Sequence, residues 1–153
     1  MKLLVVTNIP TPYRIAFFNV LQDQLIKIGG SLKVLYCAEN EPDRHWKINL
    51  EEQQFDYEIL NGFHKNTKGL FLHFNPSVLK KTKEFQPNYI LYAGSWNMPT
   101  VMFSLLFNSF CKKKYKKVFW SEGHDGSMIH NKGIVPKIRK FIQNKFDGFA
   151  VPN

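Results

Sequence analysis

The chain has 153 residues, of which 44% are hydrophobic and 22% charged, so it is long enough to bury a core and ordinary in composition for a globular domain. Its two cysteines, Cys37 and Cys111, are too few for a disulfide framework and show no metal-ligand spacing, so we expect a reduced, cytoplasmic setting. The start has no signal-peptide pattern, and no apolar run approaches the roughly 18 residues of a transmembrane helix.

The formal net charge of +9 is unevenly distributed along the chain. Residues 1–62 carry 6 Lys and Arg against 8 Asp and Glu, a net charge of −2. Residues 63–153 carry the other 15 against 4, a net charge of +11. This one-sided excess indicates an anionic partner, whether nucleic acid, a phospholipid surface or a phosphorylated substrate. The alternative is a solvated basic face that only aids solubility.

The first 30 residues predict a strand, a tight loop and a helix. The apolar, β-branched run at 2–6 is typical of a strand buried on both faces. Pro10 and Pro12 interrupt this run because neither has a backbone N–H to donate. A helix is predicted to begin with Thr11 as its N-cap and Pro12 at its first position, and to end at Gly29.

The rest of the chain alternates between short apolar runs and helical patterns. Strands are predicted at 32–36, 55–59, 89–92, 118–120 and 147–151, and helices at about 76–85, 98–111 and 135–146. Strict alternation at 55–59 predicts an edge strand. Residues 37–54 are polar without a clear period and are predicted to form a long connection. Residues 61–75 are predicted to form an irregular loop. This order predicts an α/β doubly wound, mainly parallel sheet of six or seven strands with helices on both faces.

Three loops follow strands at one predicted edge of the sheet, where open α/β sheets bind ligands. They are residues 8–14, 93–97 and 121–127, and we expect them to converge on one cleft. Arg14 falls in the first turn of a helix, which is unfavourable for a cation, so a role in pairing or anion binding competes with that of a surface arginine. The candidate substrate-binding residues are Asn8, Thr11, Tyr13, Arg14, Ser95, Trp96 and Asp125.

The segment 121–127, SEGHDGS, concentrates groups suited to acid–base chemistry. A histidine titrates near neutrality, and a neighbouring carboxylate can fix its tautomer. His124 and Glu122 are therefore the candidate catalytic residues, and an ordinary polar loop is the alternative. No other cluster of His, Cys or carboxylates shows ligand spacing, so we expect no metal.

Three familiar nucleotide and hydrolase motifs are missing from the sequence. It contains no GxxxxGK[ST] phosphate loop, no GxGxxG after the first strand and no GxSxG elbow. These absences disfavour ATP hydrolysis, standard NAD binding and the α/β-hydrolases.

A run of lysines follows the apolar helix at 98–111, and it predicts attachment to an anionic membrane face. Packing in the protein core is the alternative explanation for the aromatic residues of that helix. The lysines of this candidate anion patch are Lys112, Lys113, Lys114, Lys116 and Lys117.

Together, the segments LLVVTNIPTPYRIAFFNVL, VLYCAENEPDRHW and FDYEILNG resemble the N-terminal domain of family-4-type (glycosyltransferase group 1) retaining glycosyltransferases of the GT-B fold. These bacterial enzymes build capsule, O-antigen and exopolysaccharide. The resemblance extends over essentially the whole chain. Its most specific part is NIPTPYR followed by FFN, together with the downstream R-x-W at 44–46.

The resemblance implies a single Rossmann-like domain over residues 1–153 that binds the acceptor of a sugar transfer. In the family, a C-terminal domain holds the nucleotide-sugar donor, and the present 153 residues do not include it, so we expect the chain alone to be inactive. His124 matches a histidine that contacts the transferred sugar. We expect no metal or other cofactor, and the lysines at 112–117 predict that the cytoplasmic enzyme attaches peripherally to the inner face of the plasma membrane.

Two alternatives to this interpretation stay open. One is a non-catalytic basic α/β module that binds nucleic acid or an anionic membrane. It accounts for the charge, but it leaves the loops at 8–14 and 121–127 without a role, and no recognition-helix, RNP or zinc-finger pattern supports it. The other is one subunit of a split transferase whose donor domain is a separate chain.

Overall fold

The computed structural model describes residues 1–44, 48–67, 70–110, 115–121 and 133–151. Its helices are α1 (Pro12–Lys27), α2 (Val78–Phe85), α3 (Pro99–Phe110) and α4 (Val135–Gln143). Its strands are β1 (Lys2–Thr7), β2 (Ser31–Tyr36), β3 (Asp56–Ile59), β4 (Phe63–Thr67), β5 (Leu70–Phe74), β6 (Tyr89–Ala93), β7 (Lys116–Trp120) and β8 (Gly148–Ala150). Among these helices none has the length and apolar character needed to span a bilayer.

Six of the strands form one parallel sheet in the order β3-β2-β1-β6-β7-β8. The predicted Rossmann-like α/β fold is confirmed, and β3 lies at an edge as its alternating pattern predicted. The direction of strand addition reverses at β1, because β2 and β3 extend the sheet on one side and β6, β7 and β8 on the other. A crevice therefore opens between the carboxyl ends of β1 and β6, the point at which such sheets bind ligands.

Helices cover both faces of the sheet, as predicted. Successive residues of a strand point to opposite faces, so the adjacent residues Val5 and Val6 belong to different core clusters. Val5 packs with Phe18 of α1 on one face. On the other face, the cluster of Val6 includes Leu105 of α3 and Ile142 of α4. This packing holds the carboxyl edge of the sheet as a rigid platform for the loops.

The prediction of an irregular loop at 61–75 is wrong. Strands β4 and β5 pair antiparallel in this region, and His64 lies opposite His73. Every residue of β4 is exposed, so the strand lacks the apolar alternation by which strands are recognised in a sequence. The hairpin forms one wall of a cleft beyond the end of β2.

Candidate functional site

The loops after β1 and β6 meet at the switch point of the sheet. Gly94 has a φ of 141°, and a Cβ atom at this position would lie 2.4 Å from Oδ1 of Asn8. The backbone of the β6 loop thus approaches the Asn8 side chain as closely as only glycine allows. Asn8 and Ser95 line the same small cleft, of about 160 Å³. The structure therefore brings these two predicted binding residues together.

Arg14 is buried beneath this crevice, with 7% of its surface exposed, so the alternative of a surface arginine is wrong. Its Nη1 donates a hydrogen bond of 2.5 Å to Oγ1 of Thr7, the last residue of β1. The guanidinium carbon also lies 5.9 Å from the ring centre of Trp120, the last residue of β7. Because β6 lies between these strands, the cation spans the carboxyl ends of three neighbouring strands.

The charge of Arg14 acts on the neighbouring phenol of Tyr36. Burial raises the pKa of Tyr36, and the positive charge of Arg14 opposes part of that rise. The phenol therefore stays protonated and donates a hydrogen bond of 2.8 Å to Oε1 of Gln53. This contact connects the end of β2 to the connection that leads into β3.

The other predicted binding residues lie in different surroundings. Thr11 occupies the N-cap position of α1, as predicted, although its hydroxyl makes no capping hydrogen bond. Its Oγ1 is buried with no hydrogen-bond partner in the described part of the chain. Tyr13 is 55% exposed, and the guanidinium of Arg14 lies 5.6 Å from the centre of its ring. Trp96 packs against the core on the α3 face and lies beneath Arg139, away from the small cleft.

The predicted catalytic and lysine residues fall mostly outside the described residues. These residues are Glu122, His124, Asp125, Lys112, Lys113 and Lys114. Two lysines of the candidate anion patch are described. The Nζ atoms of Lys116 and Lys117 each lie 3.9 Å from a carboxylate oxygen of Asp147, which offsets part of their charge.

A second polar cluster, which the sequence analysis did not identify, joins the hairpin to the loop after β2. Nε2 of His73 lies 3.0 Å from Oε1 of Glu41, and Nδ1 of His73 lies 2.8 Å from Nδ1 of His64. His73 and Glu41 are 2% and 5% exposed, whereas His64 reaches the surface. We call this chain of three side chains the relay. Arg44 extends it, with its Nε 3.6 Å from Oε2 of Glu41.

Hydrogen bonds from the core hold the hairpin in place. Nδ2 of the fully buried Asn75 donates to the carbonyl oxygens of Cys37 and Leu60, which follow β2 and β3, at 2.9 and 3.0 Å. Oγ1 of Thr100 donates to the carbonyl oxygen of His73 at 2.7 Å. The inner histidine of the relay is thereby anchored to α3 and to the carboxyl edge of the sheet.

The relay opens into a cleft of about 800 Å³ between the hairpin and the loop after β2. His64 and Lys65 line it on the hairpin side, and Glu39 and Asn40 line it on the loop side. Phe71 lines both this hairpin cleft and the small cleft at the switch point, so the two are adjacent. Among the described residues, no group of three or more His, Cys, Asp and Glu side chains is arranged to hold a metal ion.

One feature of the sequence could have predicted the pair of histidines. A Lys-Gly dipeptide lies between two five-residue segments, 63–67 and 70–74, and a glycine between two such segments is a hairpin signal. With the turn placed there, His64 and His73 fall opposite each other. Nothing in the local sequence indicates that Glu41 would join them.

Comparison of the sequence with models of protein families and with curated proteins gave no match. The family implied by the resemblance therefore stays a prediction.

Proposed function

We propose that this chain is the acceptor-binding domain of a glycosyltransferase that moves a sugar from a nucleotide-sugar to a glycan or lipid-linked acceptor in bacterial surface polysaccharide synthesis. The observation that carries the proposal is the crevice at the switch point. Asn8 and Ser95 offer hydrogen-bonding groups there, and the buried Arg14 spans the strand ends beneath them. Asn8 is the first residue of the segment with the most specific resemblance, residues 8–14, and it lines this crevice.

In this role, the domain binds the acceptor and leaves the nucleotide-sugar to a donor domain. The side chains suit this task, because the amide N–H groups of Asn8 can donate to the hydroxyls of a glycan and the hydroxyl of Ser95 can both donate and accept. Arg14 connects the ends of β1 and β7 through its contacts with Thr7 and Trp120. Loss of this contact is expected to misplace the acceptor.

Sugar transfer by the polypeptide encoded by the complete reading frame tests the proposal. The protein is incubated with radiolabelled UDP-, GDP- and dTDP-sugars and with lipids extracted from membranes of the source bacterium. We expect one donor to label the lipid fraction. Absence of label with every donor would overturn the proposal.

Matched variants test the assigned residues. Arg14→Gln and His124→Ala are each expected to lower turnover at least roughly tenfold, as loss of a polar contact at a transition state commonly does. Lys27→Gln removes the same charge as the arginine variant from the far, exposed end of α1 and should leave turnover unchanged. Circular dichroism confirms that each variant is folded. Unchanged turnover in both Arg14→Gln and His124→Ala would reject the site assignment.

A further inference from the structure

The three side chains of the relay are arranged so that His64 can accept a proton. We assign His73 as a neutral ring with its proton on Nε2, because the carboxylate of Glu41 beside that nitrogen can only accept a hydrogen bond. Nδ1 of His73 then carries a lone pair and accepts the single proton that the two Nδ1 atoms share across 2.8 Å. That proton belongs to His64, whose Nε2 is left unprotonated. This nitrogen lies on the edge of the ring turned away from His73, in a side chain that lines the hairpin cleft.

The hairpin cleft has the chemistry of a carbohydrate site. Its amides, Asn40 and Asn66, and the carboxylate of Glu39 can hydrogen-bond sugar hydroxyls, and Phe71 adds to the lining an aromatic residue of the kind that packs against the C–H groups of a pyranose. A volume of about 800 Å³ lies within the usual range for small-molecule sites. It is large enough for the end of an oligosaccharide.

We propose that the hairpin cleft binds the reacting sugar of the acceptor and that His64 is the base that takes the proton of its attacking hydroxyl. This inference rests on the proposed function and extends it, since it places the acceptor hydroxyl in a cleft that the sequence did not indicate. His64 is the catalytic residue. His73 and Glu41 are positioning residues, which hold the ring of His64 in one tautomer.

The step balances with a nucleotide-sugar as co-substrate. The O–H bond of the acceptor breaks, and its oxygen forms a bond to the anomeric carbon on the face that the diphosphate leaves, so that the anomeric configuration is retained. The bond from that carbon to the diphosphate breaks, and the nucleoside diphosphate leaves with the electron pair. Nε2 of His64 receives the hydroxyl proton while its Nδ1 proton passes to His73. The positive charge then lies on His73, 3.0 Å from the carboxylate of Glu41.

The charges around the relay favour this direction of proton transfer. Burial lowers the pKa of His64, and a positive charge on His73 would lower it further, so Nε2 of His64 is unprotonated at neutral pH. Among the residues that the structure describes here, the charged side chains also include Glu39 across the hairpin cleft, Lys65 on the same strand, and Arg44 next to Glu41. The Glu41 carboxylate lies 3.0 Å from Nε2 of His73 and stabilises the charged form that the step creates.

Nitrogen NMR of the histidine-labelled chain tests the site without any turnover. We expect His64 to carry its proton on Nδ1 and His73 on Nε2, and we expect the Nε2 signal of His64 to move when glucose, N-acetylglucosamine or glucuronic acid is added. A His64 protonated on Nε2 would overturn the assignment of the base. If none of the three sugars moves the Nε2 signal of His64, the assignment of the binding site is overturned.

The pH dependence of sugar transfer, measured on the polypeptide of the complete reading frame, tests the catalytic role. In His64→Asn the amide can still donate to His73 but cannot act as a base, so we expect kcat to fall by roughly 10²- to 10⁴-fold with little change in KM. Glu41→Gln should have a smaller effect on kcat and should shift the acid limb of the pH profile. Phe63→Gln alters an exposed neighbour on the same strand and should match the wild type.

The outcomes separate the two proposals. If the wild type transfers sugar and His64→Asn has the same kcat and pH profile, His64 is not the base, while the proposed function stands. If the wild type transfers no sugar with any donor, the proposed function fails and the catalytic role of His64 fails with it. The NMR titration then still decides whether the hairpin cleft binds saccharides.

Discussion

Asn8 and Gly94 are in direct contact across the carboxyl ends of β1 and β6. The contact is so close that a Cβ atom at Gly94 would lie 2.4 Å from Oδ1 of Asn8. That oxygen is buried and has no hydrogen-bond partner among the residues that the structure describes. The switch-point crevice is thus defined by a backbone approach that depends on one glycine.

Gly94→Ala is expected to lower the free energy of unfolding by about 1–3 kcal/mol through backbone strain at positive φ alone, with a further loss from the clash with Asn8. Urea denaturation measures the change. Gly148→Ala is the matched control, because a Cβ atom there meets no atom within 4 Å. Adding Asn8→Ala to Gly94→Ala should restore the part of the loss that comes from the clash. Equal midpoints for Gly94→Ala and the wild type would show that the loops are not in contact.

The sequence predicted the sheet because the central strands are buried on both faces. Such strands are continuous apolar runs, as at 2–6 and 32–36, and each is present in the structure within one residue of its predicted bounds. The edge position of β3 followed from its alternating sequence, because a strand at the edge of a sheet does not need to be apolar on both faces. These features depend on burial, which the local sequence records directly.

The features that the sequence did not predict depend on contacts between distant segments. The relay joins Glu41 to a histidine 32 residues later, and no local pattern reports such a contact. The sequence alone allows Arg14 to be a surface side chain, because Trp120, which its guanidinium contacts in the structure, lies far along the chain at the end of β7. The position of Thr11 at the start of α1 would allow its hydroxyl to cap the helix, but in the structure the hydroxyl makes no capping hydrogen bond. Tertiary packing decided each of these cases.

Asn75 is expected to be the most sensitive polar residue of the hairpin anchor. Asn75→Ala leaves the carbonyl oxygens of Cys37 and Leu60 without their donor, and it should lower the free energy of unfolding by about 2–4 kcal/mol. Ser77→Ala is the control, because it removes a single exposed hydrogen bond of 3.4 Å. Thermal or urea denaturation compares the two variants. A loss no larger than that of the control would contradict the anchoring role.

The lysines at 112–114 are expected to bind anionic membranes, a prediction that rests on the sequence alone. Each lysine near such a surface contributes roughly 1 kcal/mol, so replacing all three with glutamine should weaken binding to phosphatidylglycerol vesicles on the order of 100-fold. Replacing Lys27, Lys80 and Lys83 removes the same charge elsewhere and should have a smaller effect. Co-sedimentation at low and high salt measures both. Sedimentation that depends on neither anionic lipid nor salt would reject the prediction, and salt-dependent binding of an oligonucleotide would favour the nucleic-acid alternative.

His64 should make the stability of the fold depend on pH. Burial and the charge of His73 lower its pKa below the ordinary histidine value of about 6.5, so the unfolded chain binds this proton more tightly than the folded chain does. Its contribution to stability is therefore complete above about pH 6.5 and is lost as the pH falls through the folded pKa. Urea midpoints should decrease between about pH 7.5 and pH 5 in the wild type, and less in His64→Asn, which cannot titrate. Parallel decreases in the two proteins would show that His64 is not the group responsible, and a smaller decrease in the wild type would mean that its pKa is raised on folding.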